Sequence, residues 1–239
     1  MRQRIGAVVL AAGKGSRMSS SLPKQFLEIN GRPLLYYSLR AFERAADEIV
    51  LVTGENWVSY CIEEIVSKYG LKKVRAVVPG GKERYDSVSC GLEALGDCEI
   101  ILIHDGARPC VTEQVIRRGA DGAEKYGACV VGMAVKDTIK VAEEKGFAAS
   151  SPDRSRLWMI QTPQAFQGSL IREAYKRLTE ADEDRKRKIT DDAMVVETFL
   201  HHPVRLIEGD YRNLKVTTDE DLPVVQAYLK EERAGKENG

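Results

Sequence analysis

Short apolar runs alternate with amphipathic stretches along most of the chain. The first run, Gly6 to Ala12, is too short for a long helix and empties into Gly13-Lys14-Gly15-Ser16-Arg17-Met18, which predicts a buried strand ending in a tight loop. Pro33 to Phe42 carries apolar residues at helical spacing with proline in the first turn, so a helix is expected there. Glu48 to Thr53 reads as a strand, followed by a helix reaching Tyr69 with Asn56 as its candidate cap. Val74 to Val78 is a third strand, stopped by Pro79-Gly80-Gly81, and a helix follows from about Arg84 to Leu95. Ile100 to His104 is a strand, Thr112 opens a helix, and Ala128 to Val135 is a further strand. This alternation predicts an α/β fold: a Rossmann-like, mostly parallel sheet with helices on both faces and ligand loops at the carboxyl ends of its strands.

From Lys136 to Arg156 the pattern turns polar. Thr138 to Val141 and a second polar strand, joined by a turn at Glu143 to Gly146, predict a protruding β-hairpin arm over about 136–156. A hairpin so poor in apolar residues buries little of itself, so it projects or pairs with another chain. Leu157-Trp158 is expected to return to the core, and Ser169 to Leu178 to be helical. The charge run Asp182 to Lys188 reads as a solvated linker. Thr190-Asp191-Asp192 opens a short helix to about Phe199, Val204 to Ile207 and Leu214 to Val216 read as short strands, and Thr218 to Asp221 as a capping box. The last helix is expected to fray over 233–239, leaving one domain over 1–232.

Composition narrows the classes. The 239 residues are 43% hydrophobic and 30% charged, which suits one large α/β domain. The 36 basic residues balance 36 acidic ones, so no electrostatic footprint for nucleic acid is present. Cys61, Cys90, Cys98, Cys110 and Cys129 are scattered without a C-x-x-C pair and read as reduced thiols of a cytoplasmic protein. No segment approaches the length that spans a bilayer. Two arginines before the first apolar run mimic a secretory leader, but that run passes straight into a basic glycine loop and is read as a strand.

The chemistry begins at that loop. Backbone N–H groups around Gly13 and Gly15 can approach an anion closely, and Arg17 and Lys24 can reach its phosphates. No P-loop string is present, and the dinucleotide fingerprint fails at Met18, so an oxidoreductase reading has little support. Gly80 to Val88 follows a strand and opens a helix, placing backbone donors and the Ser87 hydroxyl where they can read a base edge. Asp105, at the end of a buried strand, is placed to hold Mg2+ on a nucleotide's phosphates, and Arg108 to bind a second phosphate bidentately. His104 is given no role, and adjacent His201 and His202 make a poor metal pair. Lys215, on the predicted strand Leu214 to Val216, gains interest because the site asks for more cations.

L-A-A-G-K-G-S-R-M, P-K-Q, G-G-K-E-R-Y-D-S-V, H-D-G-A-R-P, V-K-D-T-I-K, D-R-S-R-L-W, Q-T-P-Q, T-D-D and N-L-K-V-T together resemble the 2-C-methyl-D-erythritol 4-phosphate cytidylyltransferases of the non-mevalonate isoprenoid pathway, from Val9 to about Tyr228. Several blocks are shared with ribitol-5-phosphate cytidylyltransferase, the alternative reading, and V-K-D-T-I-K favours the erythritol enzyme. The resemblance implies that Ala11, Ala12, Gly13, Gly15, Gly81 and Ser87 contact CTP and that Asp105 holds Mg2+. It implies that Arg17 and Lys24 stabilise charge on the α-phosphate, and that Lys215, with Arg154 from the other subunit's arm, holds the polyol phosphate. Arg108, Thr138, Thr190 and Asp210 are further candidates on the substrate side, and a homodimer through the arm is implied. The chain departs from the family pattern at Arg212, where relatives often carry Asp. The implied reaction is in-line attack on the α-phosphorus of CTP without a covalent enzyme intermediate, so a non-catalytic nucleotide-binding module is disfavoured by the reactive cations.

Overall fold

The computed structural model describes residues 3–13 and 22–237, with side chains through residue 231. Strand β1 (Ile5–Ala11) is followed by the small pair β2 (Glu28–Ile29) and β3 (Arg32–Pro33) and by helix α1 (Leu34–Ala45). Next come β4 (Glu48–Thr53), the short α2 (Val58–Tyr60) running on as a π-type segment Cys61–Ser67, β5 (Val74–Pro79) and α3 (Arg84–Ala94). Then follow β6 (Ile100–Asp105), α4 (Glu113–Tyr126) and β7 (Ala128–Ala134). Strands β8 (Val141–Ala142) and β9 (Ala148–Ser150) form the arm, and β10 (Trp158–Gln167) leads back. The chain closes with α5 (Gly168–Thr179), α6 (Glu183–Lys186), α7 (Asp192–Leu200), β11 (Arg205–Glu208) and α8 (Asp221–Glu237).

Seven strands make one sheet in the order β11-β7-β10-β6-β1-β4-β5, and only β10 runs antiparallel to its neighbours. Alternate residues of a strand face opposite sides. Ala7, Val9, Ile49, Leu51, Ile100 and Leu102 therefore pack with Leu39 and Phe42 of α1 and Val115 and Ile116 of α4. Val8, Val50, Val52, Ile101 and Ile103 pack on the other face with α3, α5 and α7. Strands covered on both faces read as continuous apolar runs, which is why they stood out in the sequence. A third cluster joins Val225 and Leu229 of α8 to Ile29, Leu34, Ala107 and Val216 beside the strand ends. Cys61, Cys98, Cys110 and Cys129 are buried thiols, and burial pushes Cys129 up to about 12. Among the described residues no helix is long and apolar enough to cross a membrane.

Several expectations need correction. Asn56 caps nothing: it sits inside a 3-10 turn, Glu55–Trp57, that begins after Gly54. Strand β10 was missed because its buried segment reads Gln161-Thr162-Pro163-Gln164. The side chains of Gln161, Thr162 and Gln164 find hydrogen-bond partners, and Pro163 falls where the register shifts between Ile160 and Gln164. Leu157 and Trp158 are only half-buried, and Met159 and Ile160 are exposed, so the core resumes at Gln161. The run 182–188 holds a helical turn capped by Asp182, which accepts from the Arg185 N–H. Leu214 to Val216 is an extended strap rather than a strand, bonded through the Val216 N–H to the Ala107 carbonyl at 2.9 Å. Helix α8 continues through Glu237, past the start of the expected frayed tail. His201 and His202, read as a poor metal pair because neighbours on a strand would point apart, instead follow α7, with His201 in the left-handed region at φ 53°.

The arm is a hairpin turning at Glu143 to Phe147, with paired strands shorter than expected and Thr138 to Lys140 unpaired. It is exposed over nearly all of 136–156, and Phe147 shows 69% of its surface to solvent.

Candidate active site

The carboxyl ends of β1, β5 and β6 open onto a cleft of about 870 Å3, lined by Ala11, Ala12, Gly13, Lys24, Gly81, Ser87, Asp105 and Lys215, with Arg84 at its side. Gly15 and Arg17 lie outside the described residues. Gln25 is the residue that shapes the first loop: buried, it donates from Nε2 to the carbonyls of Ala11 and Gly13. The neighbouring Lys24 Nζ donates to the Val216 carbonyl at 2.8 Å, bridging the first loop to the strap. Gly80 is required by close approach, since a Cβ there would stand 2.6 Å from Ser87 Oγ and 2.8 Å from the Ala12 Cβ. The Ser87 hydroxyl accepts from the Gly81 N–H at 3.2 Å and donates to the Glu83 carbonyl, so it fixes the second loop.

Asp105 sits among cations. Lys215 Nζ is 2.8 Å from one carboxylate oxygen, Arg84 Nε is 3.6 Å from the other, and Arg108 Nε lies at 4.0 Å. Burial alone would raise its pKa, but Arg84, Lys215 and Arg108 hold it well below the usual carboxylate range. The strap that brings Lys215 here hangs on Asn213, which is fully buried and donates to the Thr162 carbonyl at 2.8 Å. Arg108 in turn donates to the Asn213 carbonyl at 2.8 Å, which turns it inward and ties the loop after β6 to the strap.

Arg84 is held from behind. Its two terminal nitrogens each donate at 2.8 Å to separate oxygens of Asp192, whose side chain is fully buried and also accepts from the Tyr175 hydroxyl at 2.6 Å. Burial works against the Arg84 charge, but Asp192 and then Asp105 more than offset it, and its pKa is raised. In T-D-D the two acids divide their work: Asp191 caps α7 through the Met194 N–H, while Asp192 anchors Arg84. The cap was legible in the sequence. The anchor was not, because its partner is remote in the chain and paired acids before a helix already have an explanation.

Thr138, Arg154, Thr190 and Asp210 do not line the cleft of their own chain. Arg154 is exposed on the arm and donates to the Lys136 carbonyl at 2.7 Å. Thr190 is exposed beside Met194, and the Asp210 backbone is fastened to Gln161. Arg212 points to α8, pairing with Glu231 at 3.1 Å and lying over Tyr228.

His104 is a hydrogen-bonded strand residue. The Thr162 hydroxyl oxygen accepts from the Asp105 N–H and so donates to His104 Nδ1, leaving Nε2–H to face the Arg108 carbonyl at 3.3 Å. Burial pushes its pKa down to about 3. An unfolded histidine titrates near ~6.5, so below that pH the unfolded chain takes up a proton that the folded chain refuses. The stabilising effect is complete above ~6.5 and is lost progressively toward pH 3. Between pH 7 and 5 this one group should cost the magnesium-free protein about 2 kcal/mol. Urea unfolding at both pH values should show the loss, and His104→Gln should remove that part of it. An unaltered pH dependence in the variant would exclude a neutral, buried His104.

A mostly parallel sheet whose strand ends carry a cation-rich cleft around one carboxylate suits an α/β enzyme that handles phosphate esters, and the sequence match makes its class that of the nucleotidyltransferases. The chain belongs to the 2-C-methyl-D-erythritol 4-phosphate cytidylyltransferase (IspD) family, whose model matches residues 5–231. A relative of that name from Lachnoclostridium phytofermentans is 45% identical over 96% of this chain and 97% of its own. Another, from Clostridium botulinum strain Loch Maree, is 47% identical over 93% and 96%. The crystal structure of 4-diphosphocytidyl-2C-methyl-D-erythritol synthase from Anaerococcus prevotii DSM 20548 superposes with a TM-score of 0.81 at 33% identity, covering 95% of this chain and 96% of that one.

Proposed function

We propose that the cleft holds CTP with Mg2+ and presents its α-phosphorus to the phosphate of 2-C-methyl-D-erythritol 4-phosphate. The enzyme transfers CMP from CTP to that acceptor and releases pyrophosphate, a step in isoprenoid biosynthesis. The observation that carries the assignment of roles is the convergence of Lys24, Lys215 and Arg84 on a cleft built around Asp105. Ala11, Ala12, Gly13, Gly81 and Ser87 would contact the nucleotide, and Gly15 and Arg17 belong to the same expectation.

An oxygen of the acceptor phosphate forms a bond to the α-phosphorus as the bond to the leaving pyrophosphate breaks. Both reactants are anions, so positioning and charge neutralisation are the site's task. Lys24 would meet the charge that develops on the α-phosphate, and Lys215 would hold the acceptor phosphate. Arg154 of the partner subunit would complete the acceptor site of a homodimer, with Thr138, Arg108, Thr190 and Asp210 as further contacts. The exposed arm, with Arg154 away from its own cleft, supports the dimer reading.

Asp105 would hold Mg2+, which supplies charge neutralisation on the phosphates. A lone carboxylate suits a cation that arrives with phosphate oxygens and water, and no cluster of three metal-ligating side chains occurs among the described residues. Lys215 would have to release the carboxylate oxygen it now holds.

Pyrophosphate release from CTP should be faster with methylerythritol phosphate than with ribitol 5-phosphate. Comparable turnover of the ribitol ester would move the acceptor assignment. Asp105→Asn should shift the Mg2+ titration of activity upward by about tenfold, the size of a lost charged ligand contact. A superimposable titration would remove Asp105 from the metal site.

A further inference from the structure

The loop after β6 has two faces. Ala107 lines the active cleft, while Pro109 and Val111 line a second concavity of about 540 Å3 between α1 and the start of α4. Its walls carry Arg32, Arg40 and Arg44. Arg40 and Arg44 are one helical turn apart on α1 and exposed, and neither has an ion pair among the described residues. Like charges at that spacing repel, and an anion between them would relieve the repulsion. Arg32 is held over the Tyr36 ring, 4.5 Å from its centroid, and bonds to the Tyr36 hydroxyl, so one guanidinium is already fixed in place. The carboxylate in the lining, Glu113, is paired with Arg117 at 2.7 Å. Tyr37, Ala41 and Leu229 supply an apolar side.

We propose that this concavity is a second, non-catalytic site for a small phosphate ester with an apolar or aromatic group. Its phosphate lies between Arg40 and Arg44, and its organic part rests on the tyrosine side. The site is mechanically continuous with the active cleft. Ser38, on α1, donates to the carbonyls of Gly106 and Arg108 at 3.0 and 3.2 Å, so α1 grips the same loop that follows Asp105. Occupancy of the second site therefore alters turnover without competing with CTP.

Phenyl phosphate is the probe, titrated by calorimetry into the intact protein. Binding should persist in Lys24→Ala/Lys215→Ala, which disables the active cleft, and weaken at least about tenfold in Arg40→Gln/Arg44→Gln. The arginine variant should fold, by circular dichroism, and turn over normally without the probe. In wild type the probe should change kcat at saturating CTP, and in the arginine variant it should not. Arg40→Glu alone should also weaken binding, which guards against a defect peculiar to the double variant. Undiminished binding in the arginine variants, or loss of binding in the lysine variant alone, would overturn the proposal.

Discussion

Asp192→Ala is expected to destabilise the protein by about 3 kcal/mol and to disable the active cleft as well. Removing one partner of a buried ion pair costs about 3–5 kcal/mol, because the remaining charge is left without compensation. The lower end applies here, since the Arg84 side chain keeps 31% exposure while Asp192 has none. The variant also strips the Tyr175 hydroxyl of its acceptor in a fully buried place. Urea unfolding gives the stability change, and a loss under about 1 kcal/mol would show that the pair is not the anchor described. Assays well below the unfolding transition separate the second effect. Arg84, freed from Asp192, no longer holds its position beside Asp105, so kcat should fall in protein that is still folded. Asp192→Asn keeps the side-chain volume and one acceptor oxygen, and should recover stability before it recovers activity.

The second large effect tests both the chemistry and the shared site. Lys24→Ala should lower kcat by roughly 10²-fold or more, on the order of 3 kcal/mol, with a much smaller change in CTP affinity. If only KM moves, Lys24 binds ground state and transition state alike. Arg154→Ala should be similarly inactive as a homodimer. Unfolding the two variants and refolding them as an equal mixture makes about half the dimers mixed, by the symmetry of a two-fold pair. In each mixed dimer one site carries both defects. The other keeps its own Lys24 and receives an intact Arg154, so about a quarter of all sites should recover. If Arg154 serves its own chain, every site retains one defect and mixing restores nothing. Failure to recover, with dimers verified by light scattering, would sink the shared site.

Doubly buried strands announce themselves, which is why β1, β4, β6 and β7 and the loops leaving them were legible from apolar runs and glycines. Strand β10 is just as central to the sheet and was invisible, because Gln161, Thr162 and Gln164 are buried for hydrogen bonding rather than for burial of apolar surface. Periodicity detects only the second kind of burial. Asp105 and Lys24 could be placed near one another from short blocks with a chemical rationale, while Lys215 joined them only through the family resemblance and the site's demand for cations. The residues that hold them could not. Gln25 acts through two carbonyls, Asn213 through a distant backbone group, and Asp192 through an arginine more than a hundred residues away in the chain. None of these partnerships leaves a local pattern. Leu214 to Val216 shows the converse error, an apolar–polar–apolar triplet that alternates like a strand but is used as a strap across the strand ends.

The arm leaves from β7 and returns into β10, two strands that lie side by side and antiparallel. Their pairing runs to Ala134 and Trp158, and the Val135 N–H donates to the Leu157 carbonyl at 3.0 Å just beyond. Both ends of the arm are therefore fixed about one strand spacing apart, roughly 5 Å, before its first exposed residue. Residues can be added to or removed from its tip without shifting the register of any strand that carries Asp105, and the entropic cost of a longer excursion rises only with the logarithm of its length. The arm is thus a cassette. The length of its tip and the apolar Phe147 there can drift while the strand ends around Asp105 keep their geometry, provided the base of the arm that carries Arg154 is kept.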